Sequence, residues 1–286
     1  MSGHFTTDGV FSNSVAVKGS SPFVVQLQLD AANSGQITGS IGNAGWTAPL
    51  KAVRAIFSPA NPAPQSKRPY TLVIPGGDDS SARPGGNGFG TLIVDISGNV
   101  NFSGVLADGT KVKQKTFINK QGVWPLYVAP YKGLGAIFGW MTFVTNQINA
   151  DVTGTLNWFR LPQPAAAAYP AGFNFPGGIS AVGSVYSFTN GTPLLNLPSG
   201  GVSILQLGNP LQSFTNNFTL GTDNKITSAN GLSATIATSS GLFKGTAISL
   251  GNGTSVPITG VLLPKQNSGY GFFLSNGQSG SVYLGP

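Results

Sequence analysis

The sequence predicts an all-β protein made of two related antiparallel lobes, and it favours up-and-down barrels over sandwiches for both. Three observations support this prediction. Apolar and polar residues alternate with a period of two along most of the chain, as in half-buried strands. Short turn sequences such as ADGT and SNGQSG separate the alternating segments. All 8 acidic residues are Asp, and the absence of Glu argues against long helices.

The strands can be placed in chain order. In PFVVQLQLD, Phe23, Val25, Leu27 and Leu29 share one face, which is the pattern of a half-buried strand. The same alternation predicts strands at 35–41, 46–57, 70–75, 89–95, 99–106, 110–118, 122–129, 135–144 and 152–159. A second series follows at 180–188, 202–207, 214–220, 232–238, 242–249, 254–263, 269–275 and 279–284. Short connections predict that neighbours in sequence pair as an antiparallel meander.

The segment LPQPAAAAYPAG (161–172) interrupts the alternation with three prolines and a run of alanines. This composition is typical of a linker. It divides the chain into an N-terminal lobe, 1–160, and a C-terminal lobe, 173–286. The lobes share spaced Gly and Phe residues, as in GNVNFSG (98–104) and GLFKG (241–245), and DGVFSN (8–13) is a weaker third echo. Internal duplication of one β unit would explain this spacing, and so would convergence of similar β-hairpins.

Composition limits the classes of function. Charged residues form 8% of the 286 residues, and the net charge is +7 with a pI of about 9.7. This charge permits an anionic partner, although scarce acids alone also produce it. The chain has no Cys, which excludes disulfides and thiolate metal sites. No apolar run approaches the 18 residues of a membrane-spanning helix.

Three runs of sequence carry a resemblance to a known module. They are NPAPQSKRPYTLVIPG (61–76), SGNVNFSGVLADGTKVKQKTFINKQGVWPLYVAPYKGLGAIFGWMTF (97–143) and TGVLLPKQNSGYGFFLSNGQSGSVYLGP (259–286). The chain from about residue 23 onward resembles a two-part β module near the C-terminal ends of very large exported proteins of environmental bacteria. The resemblance implies an extracellular or cell-surface setting. It implies no chemistry and no catalytic residues.

The residues needed for catalysis are scarce. The one His, His4, lies near the N-terminus, so neither a Ser–His–Asp triad nor a His-based metal site is expected. Most Asp residues stand in turn sequences, where the carboxylate accepts backbone N–H bonds. The sequence therefore predicts no catalytic residue, no metal site and no cofactor.

One acidic loop is an exception. PGGDDSSARPGG (75–86) contains Asp78, Asp79 and Arg83 between glycines. Adjacent Asp residues in an extended chain point in opposite directions, so they do not form an acid–base pair by themselves. The loop is either a plain polar connection or a contact for a sugar or a cation.

A basic strand offers a more specific candidate. In TKVKQKTF, Lys111, Lys113 and Lys115 share one face. Such lysines protect an edge strand from pairing with other chains. They also form a cationic ridge suited to an anionic polysaccharide or cell-surface polymer. Nucleic acid is not expected, because Arg is scarce and the basic patch is small.

The aromatic segment VWPLYVAPYKGLGAIFGWMTF (123–143) offers the third candidate. Both faces of the predicted hairpin are apolar, so one face fills the barrel and the other is expected to meet the second lobe or a covering loop. Pro125 and Pro130 remove backbone donors, which predicts an edge or bulged strand. If the segment instead binds sugar, Tyr127, Tyr131 and Trp46 are the predicted stacking groups.

Two hypotheses of function follow. The first is a non-catalytic exported or cell-surface β module that serves adhesion, assembly or glycan binding. The second is a polysaccharide-active enzyme that uses Asp78 or Asp79 with a distant Asp or Tyr. The second requires two carboxyl groups that face one cleft at roughly 5 to 10 Å.

Overall fold

A computed structural model describes residues 2–30, 35–198, 200–206, 213–229, 231–248, 253 and 255–286. The described chain is all-β, and its strands pair antiparallel. It divides into two compact units, 1–56 and 57–286. The predicted strand ends at 207, 249 and 254 lie outside the described residues.

The N-terminal unit is a four-stranded sheet in the order β1-β2-β3-β4. Its strands are β1 (Val10–Val15), β2 (Phe23–Leu29), β3 (Gln36–Asn43) and β4 (Trp46–Val53). The predicted face of β2 holds the most buried residue of that strand, Val25. Val25 and Phe11 of β1 are the buried apolar residues among the described part of this unit.

The second unit begins with a nearly closed barrel, called barrel 1. Its nine strands are β5 (Pro69–Ile74), β6 (Gly88–Val94), β7 (Asn99–Val105), β8 (Lys111–Phe117), β9 (Val123–Val128), β10 (Gly135–Phe143), β11 (Val152–Arg160), β12 (Phe173–Asn174) and β13 (Ile179–Val185). The strand order is β8-β7-β6-β5-β13-β11-β10-β9, with β12 paired to β11. Therefore β8 and β9 are the two ends of the sheet. The prediction that the Pro-containing strand is an edge is confirmed, because β9 is terminal.

The remaining strands form a closed eight-stranded barrel, called barrel 2. They are β14 (Gly201–Gln206), β15 (Phe214–Leu220), β16 (Lys225–Thr227), β17 (Ser233–Ala237), β18 (Leu242–Ile248), β19 (Ser255–Leu263), β20 (Ser268–Ser275) and β21 (Gln278–Gly285). Neighbours in sequence pair throughout, and β14 closes the barrel on β21. The meander prediction holds here. Barrel 1 departs from it, because β13 lies between β5 and β11.

The predicted lobe boundaries differ from the observed ones. β13, which was expected to begin the C-terminal lobe, belongs to barrel 1. The Pro/Ala-rich segment 161–172 joins β11 to β12 within barrel 1. Its Tyr169 is buried, and the Tyr169 hydroxyl accepts a 2.8 Å bond from the Ser279 backbone N–H. The composition resembles that of a linker, but Tyr169 holds the segment against barrel 2.

The two barrels pack directly on one another. Val261, Leu263 and Phe272, on the outer face of β19 and β20, belong to the same buried apolar cluster as the core of barrel 1. The ring centroids of Phe272 and Phe89 lie 5.9 Å apart. Barrel 2 has its own interior cluster, which includes Phe243 and Phe273. No helix in the described ranges is long and apolar enough to cross a membrane.

Candidate ligand-binding face

The lysine ridge is the set Lys111, Lys113 and Lys115 on β8. All three side chains are exposed, while Val112 between them is buried in barrel 1. The predicted strand register is therefore confirmed. Alternate residues along a strand are roughly 6.7 Å apart, so the ridge presents a row of regularly spaced positive charges. β8 is also an edge strand, so the lysines additionally protect the edge.

An exposed aromatic strip lies on the outer face of β9 and β10. It consists of Tyr127, Phe138 and Trp140, whose exposed fractions are 60%, 39% and 61%. Tyr127 stands directly across the ladder from Phe138, and Trp140 stands across from Pro125. The expectation that this second apolar face would meet the other lobe or a covering loop is wrong, because these side chains are exposed to solvent.

The inner face of the same hairpin fills barrel 1. Trp124, Leu126 and Met141 are almost fully buried, and the Trp124 ring packs at 5.4 Å from Phe102. The alternation thus separates two tryptophans with different roles. Trp124 belongs to the core, and Trp140 belongs to the surface.

The lysine ridge and the aromatic strip meet where the two ends of the barrel 1 sheet approach each other. Gln114 of β8 donates from Nε2 to the Pro125 carbonyl oxygen of β9 at 2.9 Å. Its Oε1 accepts a 2.9 Å bond from Trp124 Nε1. These bonds place the strand segment that carries Lys113 and Lys115 beside the segment that carries Pro125. Lys120 and Lys132 are also exposed in the turns on either side of β9.

Tyr131 is half-buried, and its side chain contacts buried polar groups. Its hydroxyl donates to Asp108 Oδ2 at 2.7 Å and accepts from Trp158 Nε1 at 3.1 Å. Arg160 lies over the Tyr131 ring at 5.3 Å and pairs with Asp108 at 3.4 Å. Burial, and then the charge of Asp108, raises the pKa of the Tyr131 hydroxyl. Asp108 and Arg160 therefore hold the Tyr131 side chain in place.

Arg160 also fixes the segment that follows β11. It donates from Nη2 to the backbone carbonyl oxygens of Ala168 and Tyr169. The guanidinium lies 5.1 Å from the Phe173 ring. This buried cluster holds the 161–172 segment and the 3₁₀ turn Tyr131–Gly133 in place. This structural role is sufficient to explain why Arg160 and Asp108 are buried together.

Trp46 is half-exposed on β4 of the N-terminal unit, where it packs edge-to-face on Phe23 at 5.4 Å. It belongs to a different compact unit from Tyr127.

Asp78, Asp79 and Arg83 lie in the loop between β5 and β6. They line a cavity of about 370 Å³ together with Phe175 and Ser180. Asp79 accepts bonds from the Ser81 hydroxyl at 2.5 Å and from the Ser81 N–H at 3.0 Å. These bonds hold the pKa of the Asp79 carboxyl below its usual value. Arg83 lies over the Phe175 ring at 5.8 Å.

The other carboxylates of barrels 1 and 2 occupy separate structural positions. Asp95 accepts bonds from Ser97 and Asn99 within its own turn. Asp151 accepts from the Val185 N–H and pairs with Lys265 at 2.8 Å. Asp223 pairs with Lys225, two residues later, at 3.3 Å. Among the described residues, no three His, Cys, Asp or Glu residues lie close enough to hold a metal ion.

Sequence reasoning missed two parts of this face. The exposure of Phe138 and Trp140 was not predicted, because the second apolar face of the hairpin was expected to be covered. Pro125 gave a usable signal, because it makes β9 an edge where an outer face has fewer neighbours. Gln114 gave none, because its role depends on contact with Trp124 ten residues away.

Comparisons with known proteins add little to this geometry. A scan against protein-family models and a search of curated proteins give no match. A solved structure of endo-1,5-alpha-L-arabinanase from Thermotoga petrophila RKU-1 aligns with 11% identity over 97% of this chain and 83% of that chain, with a TM-score of 0.24. The same enzyme in complex with TRIS aligns at 11% identity over 96% of this chain and 66% of that chain, with a TM-score of 0.23. Scores this low carry no inference about fold or activity.

Proposed function

We propose that the chain is a non-catalytic module that binds an anionic polysaccharide through the lysine ridge and the aromatic strip. One observation carries the proposal: exposed aromatic rings stand beside a row of exposed lysines on one outer face of barrel 1. Soluble proteins seldom expose clustered large aromatic residues without a binding role.

The chemistry of the two surfaces is complementary to an acidic sugar chain. The rings of Tyr127 and Trp140 offer flat apolar faces for the C–H side of a sugar, and the Tyr127 hydroxyl can also hydrogen-bond. The lysines attract carboxylate or sulfate groups and speed the encounter with a negatively charged polymer. Since these charges are exposed, salt weakens their contribution within a Debye length of about 8 to 10 Å.

A test uses polygalacturonate, alginate and heparin as probes. The triple variant Lys111→Gln, Lys113→Gln and Lys115→Gln should lose at least about tenfold in affinity at low salt. The matched control, Lys18→Gln, Lys51→Gln and Lys244→Gln, loses the same charge at dispersed exposed sites and should change affinity less than about threefold. Full binding by the ridge variant would refute this face as the site.

The stability of the same variants should be measured alongside their binding. Each lysine is exposed, so each replacement should change the free energy of unfolding by no more than about 0.5 kcal/mol. Tyr127→Ala and Trp140→Ala should weaken binding without unfolding the chain. If the wild-type protein binds none of the three probes, the proposed function fails.

The setting is part of the proposal. An exported or cell-surface location agrees with the resemblance to modules of very large exported proteins, and an acidic surface polymer is a partner available there. We also infer that the barrels are copies of one ancestral unit. Each contains a strand, a 3₁₀ turn and a strand, with Pro and Gly five positions apart at the turn: Pro130 and Gly135, and Pro264 and Gly269.

A polysaccharide-active enzyme is the second candidate, favoured by the cavity beside Asp78 and Asp79. Glycoside hydrolysis needs two carboxyl groups across one scissile bond, whereas Asp79 is bonded within its own loop and the other described acids of the barrels lie in separate turns. Release of reducing ends from any probe, abolished by Asp78→Asn, would establish the enzyme and overturn the non-catalytic proposal.

A further inference from the structure

The seam of barrel 1 is the gap between its terminal strands β8 and β9. Across the described residues of these strands, no backbone ladder pairs them. Pro125 has no N–H and cannot donate to such a ladder. The Gln114 side chain bridges the seam instead, with one bond to the Pro125 carbonyl oxygen and one to Trp124 Nε1. The seam lies directly beneath the boundary between the lysine ridge and the aromatic strip.

The partners of Gln114 are rigid, so the bonds of Gln114 fix the position of β8 relative to β9. Trp124 is fully buried and packs on Phe102, so its Nε1 is a fixed donor inside the barrel. Gln114 offers one carbonyl acceptor and an NH₂ donor, and the structure uses both. The side chains of Lys113 and Lys115 leave the strand on the side opposite to Gln114. Fixing Gln114 therefore fixes both lysines relative to Pro125 and Tyr127.

We propose that Gln114 is a positioning residue that aligns the lysine ridge with the aromatic strip for one ligand chain. This inference rests on the proposed function. A polysaccharide that contacts Lys113 and Tyr127 at once gains from both only if the two strands hold one relative position. Without the bridge, the seam has no other side-chain hydrogen bond between β8 and β9 in the described chain. The contributions of the two residues to affinity should therefore be coupled through Gln114.

The test is a double-mutant cycle with polygalacturonate, alginate and heparin. Affinities are measured for Lys113→Gln, Tyr127→Ala and the double variant, first with Gln114 present and then in a Gln114→Met background. With Gln114 present, we expect a coupling of about fivefold or more between Lys113 and Tyr127. In the Gln114→Met background, we expect it to fall below about twofold. Gln121→Met, with an exposed side chain in the adjoining turn, is the matched control and should keep the coupling.

The coupling separates positioning from a purely structural role. A structural role would lower stability and scale all affinities together, leaving the coupling unchanged. Gln114→Glu is a second variant that keeps the test usable if Gln114→Met does not fold. Its carboxylate still accepts a bond from Trp124 Nε1 but cannot donate to the Pro125 carbonyl oxygen. It should also lose the coupling.

Three results would overturn the inference. Coupling that survives both Gln114 variants, or no coupling in the wild-type protein, removes the positioning role while the proposed function stands. Absence of wild-type binding to every probe removes the proposed function and this inference with it. Hydrogen exchange offers a direct view: bound polymer should slow exchange of β8 and β9 amides in the wild type more than in Gln114→Met.

Discussion

Two hairpins of similar construction have different surroundings in this molecule. In barrel 1, β9 and β10 are joined through the 3₁₀ turn Tyr131–Gly133, and in barrel 2, β19 and β20 are joined through Pro264–Gln266. Both hairpins carry apolar residues on both faces. The outer residues Val261, Leu263 and Phe272 of the barrel 2 hairpin are buried against barrel 1. The outer residues Tyr127, Phe138 and Trp140 of the barrel 1 hairpin face solvent.

The difference shows that the outer face of this hairpin can serve two purposes. Where barrel 1 covers it, Val261, Leu263 and Phe272 contribute by losing apolar surface to water. Where it is uncovered, Tyr and Trp are present, which combine an apolar face with a polar group. The covered face joins the two barrels. The uncovered face remains accessible to solvent, as a surface for ligand contact must be.

The 3₁₀ turns are anchored differently as well. Tyr131 is held by the buried pair Asp108 and Arg160. Lys265 is held by Asp151 at 2.8 Å and by the Gln147 carbonyl oxygen at 2.8 Å, with a third of its side chain exposed. Removing one member of a buried pair leaves the other charge buried without a partner, whereas the charges of a partly exposed pair are screened by water.

The largest effect is expected at the covered hairpin. Phe272→Ala should reduce the free energy of unfolding by about 3 to 5 kcal/mol, because it removes a buried ring and leaves a cavity between the barrels. Denaturant unfolding followed by tryptophan fluorescence measures the loss. A loss below about 1 kcal/mol would show that the barrels do not depend on this contact.

Breaking the buried pair of Asp108 and Arg160 should lower the free energy of unfolding slightly less than Phe272→Ala does. Asp108→Asn removes the charge opposite Arg160 and should lower the free energy of unfolding by about 3 kcal/mol. The tyrosine contact should respond too, since the charge of Asp108 contributes to the raised pKa of Tyr131. Ultraviolet titration of the variant should show one tyrosine that ionises at lower pH than in the wild type. An unchanged titration would contradict the assignment of this electrostatic contact.

The partly exposed anchor should matter far less. Lys265→Gln should cost about 0.2 to 1 kcal/mol, and the difference from wild type should shrink as salt is raised. Thermal unfolding at low and high salt measures both quantities. A cost near that of Asp108→Asn would mean that Asp151 and Lys265 behave as a buried pair.

The smallest stability effect is expected on the aromatic strip. Trp140→Ala should change the free energy of unfolding by about 0.5 kcal/mol or less, because the ring is 61% exposed. The affinity of Trp140→Ala for polygalacturonate should nevertheless fall. The affinity of Phe272→Ala, measured below its unfolding transition, should not. A large stability loss at Trp140 would place this hairpin in the same class as the covered one.

The sequence by itself determined most of the strands and much of the local register, although it predicted no strand at β1, β12 or β16. Period-two alternation depends only on which side of a strand each residue faces, so it placed Lys111, Lys113 and Lys115 together and opposite the buried Val112. The turn ADGT was readable because Asp108 and Gly109 suit a tight turn whatever surrounds them. The structure keeps that turn, with a 2.8 Å bond from the Gly109 N–H to the Leu106 carbonyl oxygen.

Only the tertiary structure decided which faces are covered. Alternation cannot say whether the second apolar side of a strand meets another barrel, as at Phe272, or water, as at Trp140. The contacts of Tyr131 depend on Arg160, 29 positions later in the chain. The placement of β13 in barrel 1 depends on its pairing with the distant strand β5. These outcomes depend on contacts between residues far apart in sequence, and local sequence patterns do not predict such contacts.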